Sequence, residues 1–218
     1  MAQANGWDVI SYKIEKPPFH FSGLDELDLK NIDFQRLKDP KPAVVNLTNA
    51  SRAVVSKIND TCADFRGLRA IRDLRQILVS AYFHHRAKHS ISSPAGFHWD
   101  RLAHDRPILQ GLSVEDGLIY ELDNITGQLF DEQILSWQPD PRVMEVRLEH
   151  LTRGREEFHF LLSQHLDAEI PPIDWGNPRS DSGANHWADH FTPKVRSAFK
   201  ERYGDALIKL GYEKDMDW

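Results

Sequence analysis

Residues 69–89 constrain the fold of this chain more than any other stretch, because a short apolar strand ends there on charge and passes at once into an amphipathic helix. Leu74, Ile77, Leu78, Ala81 and Tyr82 fall at i, i+3, i+4, i+7 and i+8, the spacing of one buried helical face. Arg75, Gln76, Arg86 and Lys88 are left to point to water. In open α/β sheets ligands bind in the crevice beyond the carboxyl ends of the strands. Arg72 at the strand exit and Ser80 two turns later are therefore expected to grip one anion.

The rest of the chain supplies the context for that unit. With 218 residues and 40% hydrophobic content, a single domain spanning 1–218 with a real core is expected. A formal charge of -6 argues against nonspecific electrostatic binding of nucleic acid, so any phosphate site must be local. The lone Cys62 allows no intramolecular disulfide, and no apolar run approaches a membrane span or a signal segment, which fits a reducing cytoplasm.

Strand and helix signals alternate along the chain, as they do in α/β folds. Strands are expected over 7–14, Ala43–Leu47, Gly67–Ile71 and 142–148, and a helical turn at 52–58. The stretch 97–112, rich in His, Arg and Asp around Trp99 and Leu102, reads as a loop able to cover a site. Ser113 with Asp116 at the N3 position opens a helix that continues to about residue 135, its stripe carried by Leu118, Ile119, Leu122, Ile125 and Leu129. Phe158, Leu161, Leu162 and Leu166 mark the inner face of the next helix. Thr192-Pro193 supplies an N-cap with proline at N1 for a last helix running to Gly211, with Gly204 as a point of kinking or division. Residues 1–6 read like the tail of a helix, which suggests that something upstream is missing.

Several stretches together resemble the sulfotransferases that use 3'-phosphoadenosine 5'-phosphosulfate, mainly the bacterial members. R-D-L-R-Q-I-L-V-S-A-Y-F at 72–83 is similar to the family pattern R-D-P-R-D-x-x-V-S-x-Y-F, with Leu74 at the proline position. Asp116-Gly-Leu with Glu121 resembles E-G-L-x-x-E, and V-R-L-E-H-L at 146–151 resembles the R-Y-E-D-L strand exit. W-A-D-H-F-T at 187–192, with L-G-Y at 210–212, resembles the family's ending, so the likeness covers roughly 43–218.

The resemblance implies a P-loop-NTPase-like central parallel sheet flanked by helices, and transfer of a sulfuryl group to a hydroxyl or amine acceptor. It also implies that Arg72 and Ser80 bind the 3'-phosphate of the cofactor, since a planar guanidinium meets two phosphate oxygens and a hydroxyl donates a third bond. Arg179 and Gly183 occupy the place of the family's R-K-G phosphate loop, without its lysine and with Asp181 added. Leu148 stands where the family stacks a tyrosine on adenine. The K-x-G-T-x-W loop that cradles the 5'-phosphosulfate at a helix N-terminus has no counterpart, Gly6 and Gly23 being isolated, so the first strand-loop-helix unit is expected to be missing. Thr48 falls near the family's catalytic histidine and cannot act as a base near neutral pH. Deprotonation is left to His20, His84 or Glu121. A non-catalytic remnant that binds a 3',5'-bisphosphate nucleotide or a partner protein is the alternative. His85 and His89 share a helical face, but there is no H-E-x-x-H and no cysteine cluster, so solvated histidines are expected rather than a metal site.

Overall fold

The computed structural model describes residues 8–12, 43–47, 52–62, 64–92, 98–153, 155–170 and 186–218. Two compact units emerge: one from Met1–Ile71 with Ser136–Pro178, the other from Arg72–Leu135 with Arg179–Trp218. The architecture is mixed α/β and mostly helical.

All four described strands lie in the first unit: β1 (Asp8–Tyr12), β2 (Ala43–Leu47), β3 (Gly67–Ile71) and β4 (Val143–Arg147). They form two parallel pairs, β1 with β2 and β3 with β4, rather than one continuous sheet among the described residues. Parallel pairing demands long crossovers, and residues 13–42 and 72–142 separate the partners of the two pairs, while α1 (Arg52–Thr61) links β2 to β3. Arg69 on β3 reaches Glu145 on β4 at 2.5 Å and lies 4.8 Å over the Trp137 ring. The chain leaves β4 directly into α6 (Leu148–Arg153), followed by α7 (Arg155–Leu166). Val146, Phe158, Leu162 and Ile170 form the core here, with Met144 and Leu166 at its margin. Leu161, expected on the inner face, is instead exposed beside Phe160, because the buried face of α7 is the narrower i, i+4 pair Phe158 and Leu162. The α7 helix closes on Asp167 at φ 49°, a left-handed position that aspartate tolerates.

Helix α2 (Leu74–Phe83) organises the second unit. Leu74, Leu78, Val79 and Tyr82 are completely buried along it. A π-helical turn, His84–Lys88, continues it. Residues 97–112, expected as a loop, instead carry the helix α3 (Asp100–Gly111). Its inner positions are Leu102, Asp105 and Leu109, so a carboxylate breaks the apolar stripe, and Pro107 sits inside the helix where it reads as a breaker. Asp105 is fully buried and satisfied by Arg101 (2.5 Å), His104 (2.9 Å) and Tyr120 (3.0 Å).

The Ser113 cap forms as expected, accepting from Asp116 N at the start of α4 (Val114–Asn124). The helix does not run to residue 135 unbroken. Ile125 leaves helical geometry (φ -127°, ψ -76°), and α5 (Thr126–Leu129) with a π-helical segment, Phe130–Leu135, follows. The cause is local: a Cβ on Gly127 would stand 2.1 Å from the Leu122 carbonyl oxygen, so only glycine permits this bend. Helix α8 (Pro193–Lys209) is capped by Thr192 and runs through Gly204 without interruption. It ends on Gly211 at φ 70°, where Tyr212 N returns to Leu207 O at 2.8 Å and Gly211 N to Ile208 O at 2.9 Å.

Candidate functional site

Everything that the sequence places at an anion site in the described residues begins with the entry to α2. Asp73 is its N-cap, accepting the Arg75 backbone N–H at 2.9 Å. The same carboxylate grips the Arg75 side chain, through Nε at 3.0 Å and Nη2 at 2.7 Å, while Nη1 bonds Glu213 at 2.5 Å. The guanidinium also lies 3.9 Å from the Trp187 ring centre and 4.6 Å from that of Trp218. Gln76 accepts the backbone N–H of Trp187 at 3.2 Å. Arg75 and Gln76 were both expected to face water and are both buried. Apart from Asp73, their partners come from more than a hundred residues further along the chain, where no helical periodicity registers them. Burial acts against the charge of Arg75, and the bonds to Asp73 and Glu213 outweigh it, so its pKa is raised.

Arg72 stands in contrast. It is half-buried and makes no hydrogen bond or ion pair to another described residue, because the aspartate beside it is committed to Arg75. Ser80 is exposed on α2, and no bond joins it to Arg72. Both are thus available to a ligand, at the start and in the last turns of one helix. Arg179, Gly183, Asp181, Thr48 and His20 lie outside the described residues, as do residues 1–6 and Gly23.

A second polar centre lies where α2 and its π-helical turn meet α4. Gly117 packs under Tyr82, and a Cβ there would come within 2.5 Å of the ring. One helical turn on, Glu121 is fully buried, with Oε1 accepting from His85 Nδ1 at 2.8 Å and from the Thr126 hydroxyl at 2.5 Å. Its Oε2 has no hydrogen-bond partner. Asp116, the acidic residue of the same element, holds Ser113 and Lys194 instead, and this lowers its pKa. As a base, Glu121 is closed off from any acceptor that approaches from solvent, whereas His84 is exposed. Among the described residues no three His, Cys, Asp or Glu side chains are grouped to hold a metal ion.

Three of the stretches that carry the family resemblance, 72–83, 116–121 and 187–192, lie together in this unit, with Arg75 on Trp187, Gly117 on Tyr82, and Thr192 of the last helix cap bonded to Glu115, whereas 146–151 belongs to the first unit. Sequence reading placed these motifs but missed their roles. The acid-aromatic nest around Arg75 and the buried Glu121–His85 pair show only as motif letters until α4 and α8 are folded. No helix of the described residues is long and apolar enough to cross a membrane. Comparison with family models, with curated proteins and with solved structures found no match in any of the three.

Proposed function

We propose that this chain is a sulfotransferase-like protein that binds 3'-phosphoadenosine 5'-phosphosulfate through Arg72 and Ser80, with Arg179 and Gly183 completing the phosphate site. The observation that carries the reading is the division of labour between two neighbouring arginines. Arg75 is fully engaged in the fold, and Arg72 is left half-buried with no described partner. A cation held near a helix start without a carboxylate is suited to an anion that arrives from outside. From Leu74 to Ser80 the helix advances about 9 Å, a span that a long guanidinium side chain and a phosphate group cover together.

In this reading the strand pairs belong to a P-loop-like parallel sheet, and the protein works in the cytoplasm. An acceptor hydroxyl or amine attacks sulfur in line while the sulfur–oxygen bond to the nucleotide phosphate breaks and the acceptor's proton passes to a base. Charge growing on the leaving phosphate is what the cationic groups stabilise. Calorimetry with adenosine 3',5'-bisphosphate tests the reading. Arg72→Ala is expected to weaken binding at least tenfold, and an unchanged affinity refutes the phosphate role.

The burial of Glu121 favours a second reading, a non-catalytic protein that keeps the nucleotide site. Nucleotide binding without sulfuryl transfer to any hydroxyl or amine acceptor selects that reading, and measurable transfer excludes it.

A further inference from the structure

The π-helical turn at the end of α2 gathers more histidine than the nucleotide reading uses. His84 and His89 meet edge to face with ring centres 4.8 Å apart, and His85 touches both, at 6.2 and 5.6 Å. Trp99 meets His85 and His89 in T-shaped contacts with ring centres 5.2 and 4.7 Å apart. One backbone bond, His89 N to His84 O at 2.7 Å, closes the turn. From α3, Arg106 clamps the same turn, its Nε donating to the His85 carbonyl at 2.8 Å and its Nη2 to the His89 carbonyl.

We propose that this turn is an acid-sensitive catch: protonation of His84 and His89 places two new cations in contact beside Arg106 and Lys88, and the turn opens. The charged groups around it are unbalanced. Lys88 and Arg86 come from the turn itself, Arg86 being bonded to the Tyr82 hydroxyl, and Arg106 comes from α3. The carboxylate that α4 presents is Glu121, already committed to His85 and Thr126. Partial desolvation of its otherwise exposed ring lowers the pKa of His84, and the charges of His89, His85, Lys88 and Arg106 act the same way. Burial also lowers that of His89, against the opposing bond from its Nδ1 to the Ser90 carbonyl at 2.8 Å. Above the ordinary histidine value of about 6.5 both rings are neutral and the catch is closed. As the pH falls through 6.5 toward the depressed native values, the open form takes up protons that the closed form refuses. Closure is therefore lost progressively over that interval. Interruptions of α-helix by π turns recur at functional positions, and this one continues the helix that carries Ser80. The catch stands independently of what Arg72 binds.

Amide hydrogen exchange on the full chain at pH 7.5 and pH 5.0, corrected for intrinsic rates, tests it. Residues 84–90 are expected to lose at least fivefold in protection at pH 5.0 while α8 keeps its own. The double variant His84→Gln, His89→Gln is expected to abolish that loss. Equal protection at both pH values, or an undiminished loss in the double variant, overturns the proposal. Where the double variant fails to fold, imidazole proton resonances of the wild-type chain decide: midpoints for His84 and His89 below 6.5 sustain it, and midpoints at or above 6.5 overturn it.

Discussion

The two compact units are held together by different chemistry. In the first, the described core is four apolar side chains, and its described ion pair across the strands is only partly buried: Arg69 and Glu145 pair with side chains 15% and 33% exposed. In the second, polar groups are drawn into the interior, with Arg75, Asp105 and Glu121 all buried among aromatic and aliphatic neighbours; Arg75 and Asp105 are fully engaged there, and Glu121 through one of its two oxygens. A buried charge contributes little net stability while its partners are intact, yet it is costly to orphan, so the second unit trades tolerance for definition. The same commitment sets off Arg72, half-buried and without a hydrogen bond or ion pair to another described residue.

The sharpest way to break this contrast is Arg75→Ala. It leaves Asp73 and Glu213 without their cation and two indoles without their filling, and is expected to cost about 3–5 kcal/mol in urea unfolding. A loss near that of a surface pair would erase the distinction between the units. Next comes Tyr203, whose hydroxyl donates to the Gly127 carbonyl at 2.9 Å and whose pKa is pushed up to about 12, first by burial and then by Asp131. The folded state keeps this proton where the unfolded chain has released it. Its stabilising contribution is therefore complete below about pH 10 and declines as the pH rises toward 12. The decline is expected to reach about 2–3 kcal/mol. Tyr203→Phe should flatten that part of the stability profile, and an equally steep fall in the variant would remove the assignment.

In the first unit, Arg69→Ala is expected to cost only about 1 kcal/mol, since its partner is a third exposed and the pair is correspondingly screened. A loss matching Arg75→Ala would show that the first unit also depends on interior charge. Smallest of all, Arg72→Ala should leave thermal and urea stability within about 0.5 kcal/mol, because no described bond is lost. Read beside the calorimetric test of the same variant, this separates a ligand contact from a structural one.

What was legible in the sequence was local. The i, i+4 stripe of Leu74, Leu78 and Tyr82, the Ser113 and Thr192 caps and the β-branched strand Ala43–Leu47 each depend on neighbours a few residues away. The misreadings share an opposite cause. Arg75 looks solvent-facing until Glu213 and Trp218 arrive, α3 looks like a loop because its inward stripe includes Asp105, and the break at Ile125 is invisible where an isoleucine fits the expected stripe. Of the proposed anion site, the motif singles out Arg72, and only the structure reveals that Asp73 serves the other arginine.

The pairing of β3 with β4 carries a consequence for how the molecule comes into being. Arg69 and Glu145 face each other across 76 positions of chain, and the whole of Arg72–Leu135 is made between them. Joining ends that far apart costs about 2 kcal/mol more in chain entropy than a ten-residue connection. Non-local pairings of this kind also slow folding relative to helical contacts. During synthesis β3 must therefore wait with its β4 edge open until Val143 follows, and the entry of α2 waits longer still, for Trp187 and Glu213.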